Sequence, residues 1–87
     1  MNISSRAPEH YRDFVVSVAC AATPASRTEP GRIDAMYALQ SDRHMPAERL
    51  FRMKGKAWDS EEEACAAALA AARAHVDRLI DEAEPAD

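Results

Sequence analysis

Glycine is scarce in this chain: only Gly31 and Gly55 occur in 87 residues. That excludes a glycine-rich loop that could cradle phosphate through its backbone amides. Two cysteines, Cys20 and Cys65, are too few for a disulfide framework. No run of about 18 apolar residues is present for a membrane-spanning helix, and no basic start leads into an apolar stretch of the signal-peptide kind. A cytoplasmic, reduced protein is therefore expected. Positive charge is not in excess either. The net charge is −4, which argues against a dedicated nucleic-acid binder.

The charge is unevenly spread. Residues 1–58 hold nine Lys and Arg against six acids, and residues 59–87 hold two Arg against nine acids. An anion-binding surface would have to lie on the first part. The length suits one small domain, which buries a modest share of its surface and gains from a partner that buries more.

Periodicity organises the rest. Residues 1–10 are polar, contain Pro8 and follow no period, and read as a flexible tail. From Tyr11 to Ala22, Phe14, Val16, Val18 and Cys20 alternate with Asp13, Val15, Ser17 and Ala19, as in a strand with its β-branched face inward. Pro24, Pro30 and Gly31 mark a loop. Arg32 to Gln40 alternates again, with Ile33, Ala35, Tyr37 and Leu39 on one face. After a break at 41–46, Leu50 to Ala57 predicts a third strand, with Phe51 and Met53 opposite Arg52, Lys54 and Lys56.

A helix follows. Ser60 suits an N-cap, Glu63 completes a capping box, and Glu61 and Glu62 add favourable charge at the first turn. At 100° per residue, Cys65, Ala68, Leu69, Ala72, Val76, Leu79 and Ile80 share a stripe. Roughly 20 helical residues span about 30 Å, enough to cross three strands. The expected fold is α+β: a three-stranded antiparallel meander with one long C-terminal helix on one face, in the order β-β-β-α. The single domain would cover residues 11–82, with an acidic tail at 83–87.

Chemistry is sparse. His10, His44 and His75 have no partners at metal-ligand spacing, and no Ser/His/Asp signature occurs. Successive glutamates on a helix point about 100° apart, so Glu61, Glu62 and Glu63 do not converge. No catalytic residue, cofactor or metal ligand is assigned, and the chain is not expected to be an enzyme. The cysteines read as small buried hydrophobes. One surface stands out: Arg52, Lys54 and Lys56 would project to one side of the third strand about every 7 Å, with Arg49 beside them and Tyr11 as a stacking platform. Such a face could bind a single-stranded nucleic acid. The leading expectation is different: a non-enzymatic interaction module, a homodimer that covers the sheet surface the helix leaves bare, including Val15, Met36 and Ala38, or that pairs sheet edges.

The segments Tyr11-Arg12-Asp13-Phe14, Phe51 to Trp58, Glu62-Glu63-Ala64 and Ile80-Asp81 carry a resemblance over residues 11–81. The chain resembles small uncharacterised proteobacterial β-β-β-α proteins, a domain of unknown function. That resemblance implies a fold and no activity. The layout is also similar to HicB-like antitoxins, without their following DNA-binding segment. It is similar as well to double-stranded-RNA-binding domains, without their preceding helix and with Glu61-Glu62-Glu63 where those carry lysines.

Overall fold

In the computed structural model, which describes residues 2–53 and 58–83, the elements are strands β1 (Asn2–Ser5), β2 (Glu9–Tyr11), β3 (Phe14–Thr23), β4 (Arg32–Ser41) and β5 (Met45–Met53), then helix α1 (Glu61–Ala83). All strand pairings are antiparallel, in the order β1-β3-β4-β5, and β2 also pairs with β3. The architecture is α+β with one C-terminal helix on an open sheet.

The central meander follows the predicted alternation. Phe14, Val16, Val18 and Cys20 face the helix from β3, and the register Val16↔Leu39, Val18↔Tyr37 and Cys20↔Ala35 aligns them with the inward face of β4. From α1, Ala64, Cys65, Ala68, Ala72, Val76 and Ile80 close this core. Four of those six are alanine or cysteine, so the helix backbone can approach the sheet closely over β3 and β4. Phe14, Leu39, Val16 and Val76 are the largest side chains wholly removed from water. Each such residue contributes about 1.5–3 kcal/mol of transfer free energy.

Five strands form where three are expected, and the two additional ones lie in residues 2–11, where 1–10 read as a tail and Tyr11 as the start of the first strand. β1 pairs with the second half of β3 (Ile3↔Ala21, Ser5↔Ala19), and β2 pairs with its first half (Glu9↔Val16, Tyr11↔Phe14). Together they act as one interrupted edge strand, with Pro8 at the interruption. Packing creates them: three or four polar residues have no detectable period alone, but β3 offers an unpaired row of backbone groups. Between β2 and β3, Arg12 and Asp13 both take positive φ, 47° and 72°. Two consecutive positive φ values are what a two-residue type I′ hairpin requires.

The third predicted strand begins earlier than expected. Met45 already pairs with Ser41, and Pro46 is tolerated because β5 is an edge. A register shift between Leu39 and Ser41 accommodates residues 46–48 before regular pairing resumes at Leu39↔Arg49. The predicted continuation through Lys54, Gly55, Lys56 and Ala57 lies outside the described residues, as does the tail beyond Ala83.

The helix starts where its cap predicts. The Ser60 hydroxyl accepts from the Glu63 amide at 3.1 Å, and the Ser60 carbonyl accepts from Ala64 at 3.0 Å. Three side-chain links then tie β2 to the middle of α1. Arg73 donates to both Glu9 oxygens at 2.9 and 3.1 Å, while Tyr11 and Arg12 donate to Asp77 at 3.0 and 2.7 Å. Arg73 and Asp77 are four apart on one helix face, and Glu9 and Tyr11 are two apart on one strand face. The two periodicities meet in register.

Candidate functional site

The sheet has two faces, and α1 covers one. On the bare face stand Ile3 from β1, Val15, Ser17, Ala19 and Ala21 from β3, Met36 and Ala38 from β4, and Leu50 and Arg52 from β5, as the cross-strand register dictates. Alanine and serine at the centre make it shallow. Leu50 and Ile3 are 58% and 66% exposed, the two large hydrophobic residues left most open to water among the described residues. Between them lies a hollow of about 590 Å³, lined by Ile3, Ala21, Met36 and Leu50, with Arg32 and Arg52 at its rim. Arg32 is committed to Asp34 at 3.1 Å. Neither Arg52 nor Glu48 has an ion-pair partner within 4 Å among the described residues.

Of the residues predicted to form a basic, stacking surface, Tyr11, Arg49 and Arg52 are not brought together. Arg52 faces the bare side. Arg49 lies on the helix side with Phe51, its guanidinium 5.8 Å from that ring. Tyr11 is also on the helix side, at the opposite end of the strand order, and its hydroxyl is held by Asp77. Its ring is taken up by Arg73, 5.8 Å away. Lys54 and Lys56 lie outside the described residues. The separation follows from period 2: Arg49 and Arg52 have opposite parity, and β2 pairs so that Tyr11 joins the Phe14 face.

On the covered side, His75 is half-buried against the sheet. Its Nδ1 lies 2.9 Å from the Tyr37 hydroxyl, and its ring packs edge-on against Phe51, with centroids 4.6 Å apart. Tyr37 and Phe51 stack at 5.3 Å. Burial, and then the positive charges of Arg78 and Arg49, hold the His75 imidazole below its ordinary pKa. Burial pushes the Tyr37 phenol up. A neutral imidazole accepting from a phenol satisfies both groups, so the pair is a structural contact within the β4–β5–α1 layer. His44 stacks on Phe14 at 5.5 Å, and His10 is exposed on β2.

Cys20 and Cys65 are both buried and free. Burial raises the Cys20 thiol pKa, and contact with Cys65 and the charge of Glu61 add to it. A thiol held protonated is a poor nucleophile. Among the described residues no three His, Cys, Asp or Glu side chains gather as a metal site, and no helix is long and apolar enough to cross a membrane. The bare face holds Val15, Met36 and Ala38, as the strand periods predict, and the structure adds Ile3 from β1 and Leu50 from β5 to it. Searches of protein-family models, curated proteins and solved structures find no match to this chain.

Proposed function

We propose that this chain is a non-enzymatic interaction module that associates with a second copy of itself through the uncovered face of the sheet or its open edge. The observation carrying this reading is the exposure of Ile3 and Leu50 beside the hollow at Met36, on a domain with little apolar surface to spare. The alanines around them leave room for side chains of a partner. Single-stranded nucleic-acid binding draws less support, because Tyr11 and Arg49 are on the other side of the sheet from Arg52.

Light scattering over a concentration series tests the proposal. The mass should rise with concentration in the unaltered chain and stay monomeric in Leu50→Asp, a change at an exposed position that the fold tolerates. Equal behaviour of the two proteins would remove the bare surface from the account.

A further inference from the structure

We infer that the second copy pairs edge to edge along β5, antiparallel, with Leu50 of each chain on the two-fold axis. This inference rests on the self-association proposed above and names its geometry. β5 terminates the strand order, and no described strand pairs with its outer side. The opposite edge is occupied by the short β1 and β2 and is interrupted at Pro8. β5 is the one long edge among the described residues, nine residues from Met45 to Met53. Its stretch from Arg49 to Met53 is regularly paired on the inner side, beyond the register shift and Pro46. Natural edges usually carry a device against such pairing; on this stretch, proline and bulges are absent.

Symmetry restricts the register. In a two-fold antiparallel pair, facing residues must lie on the same face of the continuous sheet, so the axis passes through a residue and not between two. Of the possible centres, Leu50 alone matches the charges of Arg52 and of Glu48, which adjoins this stretch. Glu48 then faces Arg52 of the other copy, and Arg52 faces its Glu48. Both residues are exposed, and neither has an ion-pair partner among the described residues. On the helix side Arg49 faces Phe51 of the other copy, repeating between chains the guanidinium–ring contact already present within one. Leu50 faces Leu50, which covers one of the two most exposed large hydrophobic side chains. Centring on Arg49 would set Glu48 against Leu50, and centring on Phe51 would set Leu50 against Arg52. By the two-fold, the irregularity within residues 46–48 ends the ladder on both sides, just beyond the Glu48–Arg52 pairs.

Charge reversal with rescue tests the register. By sedimentation, Glu48→Arg and Arg52→Glu should each weaken the dimer by roughly tenfold or more, since each places like charges opposite one another at two symmetric pairs. The double variant Glu48→Arg/Arg52→Glu should recover most of the loss. A crosslink reads the axis directly and does not depend on those variants folding. Facing Cα atoms lie about 4.5–5.5 Å apart, within disulfide reach. Leu50→Cys should therefore give a covalent dimer with oxidised glutathione, and Ala47→Cys should not, while Cys20 and Cys65 stay buried. A dimer indifferent to charge reversal, with no Leu50→Cys crosslink, would overturn the β5 register and leave self-association standing. A monomer throughout would overturn both.

Discussion

Tyr11 and Asp77, 66 residues apart, are joined by a hydrogen bond of 3.0 Å from the phenol to a carboxylate oxygen. The same carboxylate takes the Arg12 guanidinium at 2.7 Å. Through this one acceptor, the hairpin that begins the central meander is fastened to the middle of the helix. The Asp77 carboxyl is held below its usual pKa by Arg12 first and Tyr11 second. Because the folded pKa is depressed, the contribution is present above the ordinary carboxylate value, about 4, and is lost as pH falls through the folded value. Asp77→Asn should lower the Tm at neutral pH and narrow the gap from the unaltered chain at acid pH. Thermal melts at several pH values check this, and a gap that stays constant would contradict it.

His75 gives a second pH dependence, in a different window. Its folded pKa is depressed, so the neutral form is the one that folds best. Stability should be full above about pH 6.5 and decline as pH falls below it. His75→Phe should flatten that limb in urea melts. Tyr37→Phe leaves the imidazole nitrogen without its 2.9 Å partner and should cost about 1 kcal/mol at pH 8.

The Arg12-Asp13 turn holds two non-glycine residues at positive φ. Asp13→Gly should stabilise the fold by about 0.5–1 kcal/mol, because glycine meets no Cβ penalty at φ 72°. The lost contact to Arg43, at 3.8 Å between exposed groups, offsets little of that. A lower urea midpoint would mean the backbone there carries no strain.

Much of the fold is legible in the chain, for reasons that differ by segment. β3 and β4 are long, and Phe14, Val16 and Val18 on one strand and Ile33, Ala35, Tyr37 and Leu39 on the other recur at every second position, so period 2 reads through. Ser60 and its following glutamates mark the helix start. β1 and β2 are not legible because Asn2–Ser5 and Glu9–Tyr11 have no inward hydrophobic face of their own; they exist by pairing with β3. The hairpin between β2 and β3 lacks glycine and asparagine, the residues that announce such turns. The positions of Tyr11 and Arg49 relative to Arg52 are not legible for another reason: parity and pairing order distribute the three over two faces, while Lys54 and Lys56 lie outside the described residues.

The helix stripe also divides on inspection of burial. Val76 is wholly buried, whereas Leu69 is half-buried at the margin of a shallow cleft with Arg6 and Glu9. Val76→Asp should abolish the cooperative transition, since an unpaired carboxylate there costs about 4 kcal/mol or more. Leu69→Ala should cost about 1–2 kcal/mol and keep the transition sharp. Circular dichroism melts distinguish these outcomes.

The central claim is that the sheet, at its uncovered face or open edge, receives a second copy of the chain, and sedimentation equilibrium of the unaltered protein tests it most directly. The account predicts an apparent mass that climbs from the 9.6 kDa of one chain towards twice that value as concentration rises into the high micromolar range. A mass that stays at 9.6 kDa across the whole range would contradict it.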